Sequence, residues 1–181
     1  MFVKLSQGKV KIDRELEARL YRQTWEQLEA NGYAQYETSN FARTGHDCRH
    51  NLITWEMGSW IGYGPSAASQ WGQRRWTNPA NLDQWIQGIE AGTPVLEQVK
   101  DLSAADLLCD ALVFGLRLNA GVNPAALAAR FATPLPARVT HLFEALVEEG
   151  LMEAAGSQVR LTGEGRMRAD AVGVSILERF D

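Results

Sequence analysis

The sequence predicts an α+β fold: a leading helix and strand, an irregular middle with a small sheet, and a mainly helical C-terminal module. Three observations predict it. Leucines recurring at multiples of four near the start give way to a short β-prone run. A central stretch rich in tryptophan offers only short strand candidates broken by glycine. From Ser103 onward capped amphipathic segments return, interrupted by one strand-turn-strand pattern. With 181 residues the chain suits one domain of ordinary size, or two small ones sharing a core.

The first helix is expected from about Asp13 to Ala30, with Asp13 as its cap and acidic residues in its first turn. Leu16, Leu20 and Leu28 supply its apolar repeat, and Asn31-Gly32 is a stop signal. Tyr33 to Thr38 reads as a strand. Residues 39 to 77 read as irregular, with strand candidates at Trp60–Tyr63 and Ala68–Trp71. Asn78 is then expected to cap a helix with Pro79 at its first position and a stripe of Leu82, Trp85, Ile86 and Ile89. Gly92 and Pro94 end it.

Ser103 with Asp106 forms a capping-box pattern ahead of Leu107, Leu108, Leu112 and Leu116. Asn123-Pro124 opens a short helix carrying Leu127 and Phe131. Val139, Leu142, Phe143 and Leu146 mark the next, closed by Gly150. Leu151–Glu153 and Gln158–Leu161 flank a turn, and Thr162 caps a last helix with Met167, Ala171, Val174 and Leu177. Three helices, a hairpin and a closing helix read as a winged-helix-like module. The expected division is 1–38, 39–99 and 100–181, with the main boundary near Gln98 to Leu102.

A composition of 45% hydrophobic and 22% charged residues is that of a soluble globular protein. No apolar run is long enough for a membrane span, and Met1 to Lys11 has no apolar core of a secretion signal. Two distant cysteines, Cys48 and Cys109, imply no disulfide framework, so a cytoplasmic setting is expected. The net charge of −4 gives no general attraction to nucleic acid. The helix that a winged-helix reading would place in a DNA groove carries Glu144, Glu148 and Glu149 against Arg138. Those carboxylates repel phosphates, so nucleic acid is not an expected partner. Of six tryptophans, five (Trp55, Trp60, Trp71, Trp76, Trp85) fall in one stretch. They suit either a core or the wall of a site for a flat apolar ligand.

The chemistry-bearing residues lie between Tyr36 and Ser69. His50 suits a hydrogen bond to backbone that fixes the irregular segment, or ligation of a metal through a neutral imidazole nitrogen. His46-x-Cys48-x-His50 would put three metal ligands on one face if extended, though no fourth ligand is spaced to complete a zinc site. Gly64 to Ser69 suits close approach of backbone to a ligand, or an ordinary turn between strands. Cys109, inside an apolar helix, reads as core.

Tyr36-Glu37-Thr38-Ser39-Asn40-Phe41-Ala42-Arg43, then Cys48-Arg49-His50-Asn51-Leu52 and Trp55, resembles the oxygen-independent coproporphyrinogen III oxidase and haem chaperone family of radical S-adenosylmethionine proteins. The chaperone branch is the nearer one. Gly62-x-Gly64-Pro65-Ser66-Ala67-Ala68-Ser69 is similar to the family's small-residue loop, and Arg75-Trp76-Thr77-Asn78 and Asp83-Gln84-Trp85 also match. Thr54 stands where the family usually has tyrosine and Thr38 where isoleucine is common. Ser66 and Ala68 replace a glycine and a histidine, in a form similar to the oxidase branch.

The resemblance implies that a preceding part forms a partial (β/α) barrel, holding a [4Fe-4S] cluster on three cysteines and S-adenosylmethionine on its free iron. The first helix and strand here would be the last elements of that barrel. With two cysteines, this chain alone is expected to bind no cluster and to catalyse no radical chemistry. The resemblance further implies that the His50-Asn51-Leu52 segment takes part in haem binding, a role in which a neutral His50 imidazole would ligate the iron. Trp55 and Trp60 would cover a porphyrin face, Arg43, Arg49, Arg74 and Arg75 would pair with propionates, and Gly64 and Ser66 would lie in the loop near a bound group. Expected partners are the chain's own barrel, haem or porphyrin, a haem-accepting protein, and a second copy through the exposed barrel edge. Three functions follow: part of a haem chaperone, the cap of an oxidase converting coproporphyrinogen III to protoporphyrinogen IX, or a purely structural element.

Overall fold

The computed structural model describes residues 13–180. Helix α1 (Arg14–Ala30) starts at Asp13, whose carboxylate accepts the Leu16 N–H at 2.9 Å. Strand β1 (Ala34–Glu37) turns back on β2 (Asn40–Ala42) as an antiparallel pair with a bulge between Gln35 and Glu37. A seven-residue helix, α2 (Arg49–Trp55), follows. Strands β3 (Ala68–Trp71), β4 (Arg74–Thr77) and β5 (Glu97–Asp101) make an antiparallel sheet in chain order, with α3 (Leu82–Glu90) inserted between β4 and β5.

Helix α4 (Ala104–Gly115) carries the full capping box, Ser103 and Asp106 each satisfying the other's backbone N–H. Helix α5 (Pro124–Arg130) is capped by Asn123 and α6 (Ala137–Glu148) ends before Gly150. Strands β6 (Met152–Ala155) and β7 (Gln158–Leu161) pair as a hairpin, and α7 (Gly163–Arg166) and α8 (Ala169–Leu177) close the chain. The principal core forms here, around Leu108, Leu112, Val139, Phe143, Met152, Leu161 and Ile176. A smaller cluster of Met57, Leu102, Leu107 and Ala111 joins the middle of the chain to α4.

Several elements depart from expectation. The helix after β4 is capped by Asn81, not Asn78, because the Asn78 amide is engaged elsewhere and Pro79 is buried before the helix begins. Trp60–Tyr63 forms no strand; Trp60 makes an isolated bridge to Gln70. The closing helix is broken at Arg168, so Val172 and Ile176 face the core while Val174 and Leu177 are exposed. Of the leucine repeat of α1, Leu16 and Leu20 are exposed and only Leu28 is half-buried, while Trp25 packs beneath the Arg166 guanidinium at 5.5 Å. The chain's expected boundary near Gln98 to Leu102 lies on β5, a strand of the small sheet. No tryptophan belongs to either core cluster among the described residues, and Trp71 is 64% exposed.

Candidate functional site

A seven-residue helix with no buried residue cannot hold itself together, since helix nucleation is costly and short helices rely on tertiary contacts. Helix α2 is held from the C-terminal module. Arg130 donates from Nη1 to the Glu56 carbonyl at 2.8 Å and from Nη2 to the Met57 carbonyl at 2.9 Å, placing a cation at the negative end of the helix. Trp55, its last residue, packs edge-on against Phe114 and lies under the Arg117 guanidinium at 4.8 Å. Arg117 in turn donates to Asp170 at 3.1 Å. At the other end Asn51 donates to the Tyr36 hydroxyl at 3.3 Å.

These contacts sort the expected site residues onto two sides of the helix. Asn51 and Trp55, four residues apart, share the face turned toward the protein. Arg49 and His50 lie on the exposed face, and the imidazole of His50 makes no hydrogen bond or ion pair among the described residues. Its carbonyl alone is engaged, accepting from the Thr54 hydroxyl at 3.0 Å. The helix also removes His50 from the extended run that His46-x-Cys48-x-His50 would need, and no trio of His, Cys, Asp or Glu among the described residues is placed to hold a metal. Below the helix a cavity of about 530 Å³ opens, with Ile53, Trp55, Ala111, Leu118, Leu127 and Arg130 in its wall.

The glycine loop follows directly. Asn78 donates to the carbonyls of Gly62 at 3.1 Å and Gly64 at 2.9 Å, and Ser66 N–H reaches the Pro79 carbonyl at 3.1 Å. Gly64 has φ +99°, open to glycine, and a Cβ on Gly62 would stand 2.4 Å from the Ala68 carbonyl oxygen. The loop is thus fixed by the Asn78 side chain together with backbone hydrogen bonds, with Ser66 also at positive φ, +60°. Ser69 and Gln70 beneath it are buried.

Of the expected propionate partners, Arg75 is committed elsewhere. It donates from Nε to Gln70 at 2.9 Å and from Nη2 to Asp110 at 2.9 Å, tying the small sheet to α4. Arg43 lies over the Tyr33 ring at 5.1 Å, and Arg74 is exposed. Trp60 is half-buried with its indole N–H donating to the Ala68 carbonyl at 3.1 Å.

Sequence reading overlooked the residues that hold the site: Arg117, Arg130, Phe114 and the amide of Asn78. It also gave no role to Glu37, which is fully buried. One Glu37 oxygen accepts from Asn40, and the other has no partner among the described residues. Nearby Asn119 donates to the Gln35 carbonyl at 2.6 Å.

Residues 102–168 match the family model described as the HemN C-terminal domain. The protein named heme chaperone HemW from Mycobacterium tuberculosis is 33% identical over 160 residues, covering 88% of this chain and 39% of the relative. Its namesake from Bacillus subtilis is 30% identical over 160 residues, covering 88% and 42%. A bovine mitochondrial protein, radical S-adenosyl methionine domain-containing protein 1, is 31% identical over 132 residues, 68% of this chain and 30% of that protein. The chain therefore spans about two fifths of the length of the first two relatives. In fold, it is similar to the Escherichia coli coproporphyrinogen III oxidase HemN, described as a radical SAM enzyme. The TM-score is 0.70 at 17% identity, over 95% of this chain and 44% of that one. By these likenesses the chain belongs to the radical S-adenosylmethionine family of oxygen-independent coproporphyrinogen III oxidases and haem chaperones, as a part from the C-terminal region.

Proposed function

We propose that the chain is the haem-contacting and partner-facing part of a haem chaperone, acting in the cytoplasm behind a barrel that carries the [4Fe-4S] cluster and S-adenosylmethionine. In this reading α1 and β1 are the last elements of that barrel, residues 39–99 form the connecting region, and residues 100–181 are a winged-helix-like module. The exposed Leu16 and Leu20 of α1 are the face the barrel would cover, and in its absence a second copy would be the alternative cover. The cluster has no place on this chain: Cys48 is exposed, Cys109 lies in the core, and two thiols are too few.

One observation carries the reading. The His50 imidazole faces outward with no structural duty among the described residues, on a helix gripped by Arg117 and Arg130. A surface residue without contacts needs no such grip, whereas an iron ligand does. His50 would ligate the haem iron, and Arg49 on the same short helix, with Arg43 nearby in the chain, would meet the propionates. Asn51 and Trp55 then act as anchors of the helix and Arg75 as an anchor of the sheet. Gly64 and Ser66 present a rigid loop to a group bound on the barrel side. Nucleic acid is not a partner in this function. No helix among the described residues is long and apolar enough to cross a membrane.

The test is a haem titration of the longer protein and its His50→Ala variant, followed by visible absorption. The variant should keep its thermal midpoint, lose the Soret shift of a histidine-ligated haem, and bind at least about tenfold more weakly. Unchanged spectra and affinity would remove His50 from the site and leave the structural reading. An anaerobic turnover assay on coproporphyrinogen III addresses the oxidase reading, and turnover without tight haem binding would establish it over the chaperone.

A further inference from the structure

A second groove, of about 840 Å³, lies between α5, α6 and the β6–β7 hairpin and shares only Asn123 with the cavity beneath α2. Its floor is apolar: Phe143 is buried, Leu135 and Val159 are half-buried, and Val147 is 40% exposed. Along α6 it runs from Thr140 to Glu148, about 12 Å at 1.5 Å per residue. That is the length over which a helix presents anchors at i, i+3 or i+4, and i+7.

The rim carries one sign of charge. Glu144 and Glu148 line the groove, and among the described residues no lysine or arginine does. Glu148 closes α6, where the unsatisfied carbonyls already concentrate negative charge, and no basic residue in the last turn offsets it. Among the described residues Glu144 pairs only with His141, at 3.2 Å and largely in solvent. This arrangement is unfavourable for α6 itself and attractive to a cation. It also disfavours fatty acids, anionic lipid and the propionates of a porphyrin, so the site is separate from the haem chemistry of His50.

We propose that this groove docks an amphipathic helix of a partner protein, with two or three apolar residues on one face flanked by lysine or arginine. The apolar anchors fill the floor over Phe143 and Val147, and the flanking cations pair with Glu144 and Glu148.

The test uses the 181-residue chain and the longer protein, with a fluorescent leucine-lysine helical peptide of about 14 residues as probe and a leucine-glutamate peptide as control. The leucine-lysine peptide should bind both proteins, and affinity should fall on raising salt from about 50 to about 300 mM. The Glu144→Lys/Glu148→Lys variant should weaken binding about tenfold or more, as two attractions become repulsions. Val147→Asn should weaken it independently, through the floor. Hydrogen exchange on the unaltered chain, which needs no variant to fold, should slow at residues 140–148 when the peptide is added. Equal binding of the control peptide, indifference to the charge reversal, or no protection at 140–148 would each overturn the proposal. So would binding to the 181-residue chain alone, since the groove's occupant would then be the preceding part of the same protein.

Discussion

Asn78→Ala tests how the glycine loop is held. The side-chain amide donates two hydrogen bonds, to the Gly62 carbonyl at 3.1 Å and the Gly64 carbonyl at 2.9 Å. The backbone N–H of Asn78, donated to the Ala67 carbonyl at 2.9 Å, is untouched by the change. Each lost bond is worth about 0.5–1.5 kcal/mol net, so the pair should cost about 1–3 kcal/mol. For a chain of this length, about 2–4 °C per kcal/mol gives a fall in thermal midpoint of about 4–8 °C at the middle of that range. Asn78→Asp should cost more, because a carboxylate directs acceptors at two carbonyl oxygens and supplies no donor. Calorimetry measures the midpoint, and hydrogen exchange should show faster exchange confined to residues 62–69. A loss below about 0.5 kcal/mol in Asn78→Ala, or a milder effect in Asn78→Asp, would refute the loop being held by this amide.

Three further outcomes follow from the same structure. In a double-mutant cycle, Arg75→Met and Asp110→Ala should show a coupling of about 1–2 kcal/mol, below the full value of a charged hydrogen bond because the side chains are 30% and 19% exposed; additive effects would mean that the pair does not join sheet to helix. The Asp106 carboxyl is held below its ordinary value, first by the Ser103 hydroxyl, then by the Ser103 N–H. Its contribution is therefore complete above the ordinary carboxylate range and is lost as pH falls through the depressed value. Urea titrations should show a shallower fall in stability below about pH 4 in Asp106→Asn than in the unaltered chain, and equal slopes would refute it. Gly121→Ala should cost about 3 kcal/mol or more in urea unfolding, since Gly121 has φ +71° and its Cβ would stand 2.1 Å from the Val159 carbonyl oxygen. A loss under about 1 kcal/mol would mean that the neighbouring backbone, where Val122 and Val159 form an isolated antiparallel bridge, yields easily.

Elements defined by local chemistry were legible in the sequence. Ser103 with Asp106, Asn123 before Pro124, and Thr162 each cap the helix that follows, because capping is settled within four residues. Helix α2 was not legible, because Cys48 makes no side-chain cap and the helix buries nothing. Its supports, Phe114, Arg117 and Arg130, lie about sixty or more residues further along. The same long range explains Asn78, which has the form of a cap but spends its amide on the Gly62 and Gly64 carbonyls, leaving Asn81 to start α3. At the candidate site the identities were readable and the orientations were not. In the helix Arg49–Trp55, His50 lies toward water while Trp55 packs under Arg117, an arrangement set by partners distant in sequence.

Strand β5 has a practical consequence for anyone dissecting the protein. It supplies the outer partner of β4 and runs straight into Leu102, whose N–H is donated to the Gln73 carbonyl at 2.7 Å. A truncation beginning at residue 102, the first matched to the family model, would strip the sheet of its edge and sever Asp110 from Arg75. The piece removed and the piece kept would both present raw surface, and neither would report the properties it has when joined. Melting of the two is accordingly expected as one cooperative event, and a cleavage site meant to separate them belongs ahead of β3 rather than at the seam.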